Sequence, residues 1–353
     1  MTIAPEATRA QPTGSQPATP PPETARAQAS PVRIAGVVAL LVVILVAFLV
    51  AFAMPTLRAE PRDVPIALVA PAAVAAQLTE AADAALPDAV AWTTAPDAAA
   101  AEELIRGREV AGALILSADG IEVAAPSAAG ASMSAFVREL GERVGAAAGL
   151  EVTVSDPVPF TAEDPRGVGL SAGALPIALG GWIAAVGIIA TVRGGRARIL
   201  AALSFAVAGG AALTAVLRFW FGTFDGSYPA LAAAGMLGIA ATSLLVLGLQ
   251  RLAGGLGIAC AAVILILLGN PLSGLGVASE LLPAPWGELG QWLPPGATGA
   301  LLRNTGFFDP ATVWAPALIL AGWAAVGAVA FLLGGVRERR ATRGSAGEGR
   351  AVA

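Results

Sequence analysis

Six long apolar runs alternate with polar stretches along the chain. The first, Ile34–Met54, has 21 residues and no charge. The others are Ala172–Val192, Ile199–Leu217, Ala230–Gln250, Leu252–Leu268 and Val313–Val336, none of which holds Asp, Glu or Arg. A helix needs about 20 apolar residues to cross a bilayer, so the pattern predicts six transmembrane helices. The run from Leu252 is the shortest and is expected to continue to about Gly274. Pro176 and Pro316 lie near span ends, where a missing N–H costs least. A signal peptide is the alternative for the first run, because Ala51-Phe52-Ala53 resembles a cleavage site. The run exceeds the roughly 7–15 residues of a signal core, and a long tail precedes it, so a membrane anchor is preferred.

Between the first two runs the periodicity changes. Over 55–171 it predicts strand Val64–Ala70, helix Ala72–Ala85, strand Ala89–Thr94 and helix Asp97–Arg106. Strands Val110–Leu116 and Gly120–Ala125 follow as a hairpin across Ser117-Ala118-Asp119. Helix Ser132–Ala147 and strand Leu150–Ser155 close a small α/β layer, and Asp156–Arg166 leads back toward the apolar runs. Residues 1–31 carry seven prolines and no apolar periodicity, which predicts a disordered tail. The expected organisation is therefore tail 1–31, transmembrane helix 32–54, α/β domain 55–171, a five-helix transmembrane bundle 172–336 and tail 337–353. The fold class is an α-helical polytopic membrane protein with an extracellular α/β domain between its first and second spans.

Arginine placement sets the expected orientation. With residues 1–31 in the cytoplasm, twelve arginines fall on the cytoplasmic side, Arg193, Arg196, Arg198 and Arg251 among them. The short outer loops then hold only Arg218 and Arg303. Both termini are expected inside, in a multi-pass protein of the plasma membrane. The 55–171 domain, with 7 arginines against 17 acidic residues, lies outside.

Composition narrows the chemistry. Of the 353 residues, 56% are apolar and 13% charged, about half the charged share of soluble domains. Histidine is absent, and all 21 basic residues are arginine. A Ser-His-Asp set lacks its base, a His/Cys zinc site its ligands, and a phosphate-binding Gly-Lys-Ser/Thr loop its lysine. We therefore expect no catalytic residue, no cofactor and no metal, and the net charge of −4 gives no reason to expect nucleic acid. The acidic pairs Glu102-Glu103 and Glu163-Asp164 read as solvated faces rather than cation sites. Cys260 reads as a small core residue.

Segment 269–312 is too polar and proline-rich for a crossing, yet carries Leu281, Leu282, Trp286, Leu289, Trp292 and Leu293. Leu281, Leu282, Trp286, Leu289 and Leu293 recur at near-helical spacing, and the tryptophans suit the headgroup level. This predicts a re-entrant or interfacial hairpin over about 270–305, turning at Pro294-Pro295-Gly296, with an ordinary surface loop as the alternative. Phe219-Trp220-Phe221 reads as an interfacial belt. The Arg193, Arg196, Arg198 loop marks the inside and is a candidate partner-docking loop.

One span, an external α/β domain and five further spans resemble the type-2 ABC exporter permease superfamily, in its phage-infection-protein-like branch. The residues that carry the likeness are Asn270-Pro271-Leu272-Ser273-Gly274, Leu282-Pro283, Leu293-Pro294-Pro295-Gly296-Ala297, Leu302-Arg303 and Phe307-Phe308. Asp63-Val64-Pro65-Ile66-Ala67-Leu68-Val69 and Arg108-Glu109-Val110-Ala111-Gly112-Ala113-Leu114 resemble the family's external domain. The resemblance implies the bilayer-embedded subunit of an exporter, a homodimer or heterodimer with a separate cytoplasmic ATPase. It would move a hydrophobic or envelope-destined substrate outward. It assigns Asn270, Pro271, Pro294, Pro295, Gly296 and Arg303 to an outer re-entrant segment. The cytoplasmic loops are short for docking an ATPase, which leaves a non-transporting surface protein, whose external domain binds a partner or envelope component, as the alternative.

Overall fold

A computed structural model describes residues 31–351. The expected tail lies outside these residues except for Pro31, which opens helix α1 (Pro31–Leu57). The residues up to Ala47 and those from Phe48 onward form two units. The described part of the first is helix, apolar on every side: Val37, Leu41, Ile44 and Leu45 are all exposed. A helix without a polar face suits a lipid surround.

In the second unit the α/β lobe contains β1 (Val64–Val69), α2 (Ala72–Ala85), β2 (Val90–Thr94) and α3 (Ala98–Arg106). It continues with β3 (Gly112–Leu116), β4 (Ile121–Ala124), α4 (Ala131–Ala148) and β5 (Val152–Ser155). The sheet order is β2-β1-β3-β4-β5, and only the β3–β4 hairpin is antiparallel. Helices α2 and α4 cover one face, where Val64, Ile66, Leu68, Leu114 and Val123 meet Leu78, Val137 and Leu140. Helix α3 covers the other through Ala101 and Ile105. Its start is set locally: the Asp97 carboxylate accepts from the Ala100 amide at 2.8 Å, the usual role of an N-cap aspartate. Gly149, at φ +65°, ends α4 in the left-handed conformation that glycine adopts without strain.

The helical body contains α5 (Val168–Thr191), α6 (Gly195–Ala215), α7 (Tyr228–Ala253), α8 (Gly255–Ala262), α9 (Trp286–Trp292), α10 (Pro294–Phe307) and α11 (Trp314–Ala351). π-Helical turns continue α6 over Val216–Trp220 and α8 over Val263–Leu268. Helix α7 is the central rod: 67% of its most apolar stretch is buried, against 22% in α6 and 28% in α5 and α11. Glycine lets its neighbours approach. A Cβ at Gly248 would lie 2.1 Å from the Gly327 carbonyl oxygen, and one at Gly181 would lie 2.4 Å from the Ile239 oxygen. Such backbone contact is how helices pack where apolar burial gives little drive.

Five helices among the described residues are long and apolar enough to cross a membrane: α1, α5, α6, α7 and α11. The sixth run departs from expectation. Helix α7 takes up Arg251, Leu252 and Ala253, and Gly254, at φ +63°, turns the chain. The remainder of the run forms eight α-helical and six π-helical residues ending at Leu268, not a helix to Gly274. Gly269-Asn270-Pro271 stops it, since proline supplies no N–H for a further turn. Other boundaries shift less. Helix α5 starts at Val168 because the Asp164 carboxylate accepts from the Val168 and Gly169 amides at 2.9 and 2.7 Å, so this residue is a helix cap. Helix α11 runs unbroken through the expected tail from 337 to Ala351. Cys260 is exposed on α8 rather than packed in a core.

Candidate functional site

The segment between α8 and α11 joins the lobe to the helical body. From Gly269 it climbs to the lobe, where the Ala278 amide donates to Ser132 Oγ at 2.9 Å and the Glu60 amide to the Leu281 carbonyl at 3.1 Å. A 3₁₀ turn over Ser279–Leu281 and the cis peptide Ala284–Pro285 precede α9. Helix α9 descends until the Trp323 indole N–H donates to the Trp292 carbonyl at 2.7 Å. Helix α10 then rises past Gly238 of α7, against which Thr298 packs, to reach the lobe again. The result is a helical hairpin set into the body. The near-helical spacing of Leu281, Leu282, Trp286, Leu289 and Leu293 is interrupted by Pro283 and Pro285, and only Trp286 and Leu289 of these lie on α9.

The turn of this hairpin falls at Leu293, one residue before the predicted place. Pro294, Pro295 and Gly296 form the buried first turn of α10 instead. Proline is well suited there, because first-turn N–H groups have no partner within the helix. Gly296 allows the close fold: its Cβ would sit 2.2 Å from the Gly290 oxygen. Asn270 and Pro271 are brought near, since Gly269 packs on the Pro295 ring and the Asn270 carbonyl accepts from Ser273 Oγ at 2.7 Å. The outward side of α9 exposes Trp286, Leu289 and Trp292 together with the carboxylate residue Glu288.

Arg303 stands two turns further along α10 and is only 9% exposed. Its Nη2 makes one long hydrogen bond, 3.4 Å to the Gly274 carbonyl, and its Nε has no partner among the described residues. Burial, reinforced by the nearby Arg108 guanidinium and opposed by Glu280, pushes Arg303 down from the usual guanidinium range to about 10. It therefore remains a cation near neutrality. Arg108, held at φ +56° after α3, reaches across from the lobe. Its Nη1 donates to Asn304 Oδ1 at 3.1 Å, its Nη2 pairs with Glu280 at 3.4 Å, and its guanidinium lies 5.1 Å from the Phe308 ring centroid. Asn304 is fixed in turn by donating to the Thr312 carbonyl at 2.8 Å.

The cavity beside this cluster, between Pro65, Arg108, Met133, Glu280 and Phe308, is about 40 Å³. That is room for water and little else. The cluster offers two cations and one carboxylate between rigid elements. Its chemistry is that of an electrostatic tie between lobe and hairpin.

A second tie is apolar. Phe160, from the strand-free return of the lobe, meets Phe307 edge-on at 5.4 Å, and Phe307 meets Phe224 at 5.5 Å. Thr161 Oγ1 donates to the Gly222 carbonyl at 2.6 Å. Phe219, Trp220 and Phe221, at the lobe end of α6, are exposed.

The arginine loop lies at the opposite end of the helical body. Arg193 and Arg196 are exposed. Arg198 is turned inward and donates to the Val192 and Ile189 carbonyls at 2.9 and 3.1 Å, which makes it a cap for α5. Beside it, Arg251 pairs with Glu338 at 2.8 Å and lies over the Phe331 ring at 4.4 Å. Sequence reading singled out Arg303 but gave no role to Glu280 or Asn304, and treated Arg108 only as part of a strand motif. The available signal was an amide side chain, Asn304, directly beside Arg303 in a helix whose other polar side chains are only Thr298 and Thr305.

Comparison with known proteins returns no match: no family profile, no curated protein and no solved structure is significantly similar to the chain.

Proposed function

We propose that the chain is the membrane permease subunit of an ABC-type exporter, working with a separate cytoplasmic ATPase to move a hydrophobic or envelope-destined substrate outward. The observation that carries this reading is the hairpin α9–α10, whose second helix is buried in the helical body. It links the helical body to the lobe through Arg108, Glu280 and Asn304, so movement within the body has a rigid path to the lobe. The chain itself then makes no chemical bond. In this reading the lobe is extracellular, and the end bearing Arg193, Arg196 and Arg251 faces the cytoplasm by the positive-inside rule. Helix α8 is the sixth crossing, completed by the turn at Gly269–Gly274, and the protein is a dimer in the plasma membrane.

Purification in mild detergent is expected to bring down an ATPase whose activity depends on this chain. Arg193→Ala with Arg196→Ala should release it without unfolding the chain, because neither side chain is buried, whereas Arg198 is left intact as a cap. Recovery of the intact chain with no nucleotide hydrolase sinks the exporter reading. Cys260 tests the sixth crossing separately, being the only cysteine. A charged, water-soluble maleimide should fail to label it in membranes and should label it after denaturation in sodium dodecyl sulfate. Full labelling in membranes would place α8 in water.

The alternative is a non-transporting surface protein whose lobe binds a partner. It is favoured by the brevity of the connections at the arginine end, Val192–Gly194 between α5 and α6 and Gly254 between α7 and α8. These offer an ATPase no protruding element.

A further inference from the structure

The sheet of the lobe ends in an open parallel strand. In the β1–β2 ladder, the Val64 amide donates to the Ala89 carbonyl and the Ala95 amide to the Leu68 carbonyl. Backbone groups alternate sides along a strand, so Ala91 and Thr93 also face β1. Val90, Trp92 and Thr94 therefore direct both N–H and C=O away from the sheet, and no strand among the described residues pairs with that edge. The strand Val-Ala-Trp-Thr-Thr has no charge and no proline within it, and Ala91, Thr93 and Thr94 are exposed. Sheet edges are commonly blunted by lysine, proline or bulges, and this one has none of them. The opposite edge is shorter: β5 has four residues, and the same alternation leaves only Val152 and Val154 facing out.

The setting of the β2 edge is acidic. A cleft of about 320 Å³ opens at the strand's start, lined by Glu60, Arg62, Asp63 and Asp88 with Pro61 and Pro87. Its single cation, Arg62, is 3.6 Å from Glu60, which leaves Asp63 and Asp88 unmatched within the cleft. Asp97 stands just beyond the other end of the strand. A second copy of the chain would bring the same acidic residues against these. We propose that the β2 edge binds an extended, basic peptide segment, its backbone pairing with Val90, Trp92 and Thr94 and a basic side chain entering the Glu60–Asp63–Asp88 cleft. The main chain supplies affinity and the cleft supplies selectivity, as in other cases of strand addition.

The test uses the full-length protein in a neutral maltoside detergent and a fluorescent peptide, Arg-Val-Thr-Val-Thr-Val-Arg. Saturable binding is expected, with added amide protection over residues 90–94 in hydrogen exchange. Replacing both peptide arginines with glutamate should weaken binding by about tenfold or more. N-methylation of alternate peptide amides should abolish it. Asp63→Asn with Asp88→Asn should lower affinity for the arginine peptide. Asparagine keeps the left-handed backbone that both positions adopt, at φ +49° and +57°, so folding is spared. Thr94→Pro removes an outward N–H without touching the β1 ladder and should eliminate binding. Four results would overturn the proposal: no binding, binding without protection over 90–94, equal binding of the N-methylated peptide, or a dimer that Thr94→Pro dissociates. The N-methylated peptide keeps the test decisive if the proline variant does not fold.

Discussion

Adding a single methyl group at Gly327 is expected to unseat the helical body. In Gly327→Ala the new Cβ would lie 2.4 Å from both the Leu244 carbonyl carbon and the Leu245 nitrogen. These are backbone atoms of α7, the most buried of the membrane-length helices, and no rotamer change moves them aside. Overpacking usually costs about 1–3 kcal/mol even when side chains can yield, so a loss at the upper end or beyond is expected here. A melting temperature lower by several degrees in detergent, with part of the protein aggregated on size exclusion, would bear this out. Gly322→Ala on the same helix is the control. Nothing lies within 4 Å of its added Cβ, and replacing an exposed helical glycine by alanine gains about 0.5–1 kcal/mol. Equal stability of the two variants would mean that α7 and α11 do not approach as described.

Replacing Arg303 with methionine is expected to raise stability and lower function. The guanidinium is desolvated, with one long hydrogen bond and an unpartnered Nε. Its depression to about 10 corresponds to a penalty on the order of 3 kcal/mol for the charged form. Methionine fills similar length without the charge, and such exchanges of buried ions are often stabilising by about 1–4 kcal/mol. A cation whose folded pKa lies below its unfolded value holds its penalty at all pH below about 10, and the penalty fades only as pH rises from there toward the ordinary guanidinium range. The advantage of Arg303→Met should therefore be constant from about pH 6 to 9. A clear fall in stability, or an advantage that changes across that window, would show that Arg303 is better compensated than its hydrogen bonds indicate. If, on the proposed exporter reading, the variant also loses substrate export while melting higher, the charge is kept for movement rather than for folding.

How much of this was legible beforehand depends on the element. In the lobe, helix Ala72–Ala85 was placed to the residue, and each strand was found within two residues of its observed bounds. There the periods of 2 and 3.6 are local, and Asp97 and Gly149 mark helix ends by their own backbone and side-chain chemistry. In the helical body, run length identified α1, α5, α6, α7 and α11 but misjudged the run from Leu252. An apolar window cannot tell a helix from a helix plus a turn, and Gly254 moved the first residues of that run into α7. The hairpin was foreseen in outline and misplaced in detail. Its near-helical leucine spacing is interrupted by Pro283 and Pro285, and its later prolines were read as a turn when they start a helix.

Apolar run length and the local periods of 2 and 3.6 by themselves determined that the chain carries membrane-length helices and a small α/β lobe, since transfer energy and strand or helix periodicity need no distant partner. Which groups meet was decided only in three dimensions. Arg108 and Asn304 are 196 positions apart and bond, Gly248 and Gly327 touch backbone to backbone, and β2 is left at an edge because no other strand among the described residues arrives there. Those outcomes depend on packing between distant elements, and a charge or a glycine takes its meaning from what packing sets beside it.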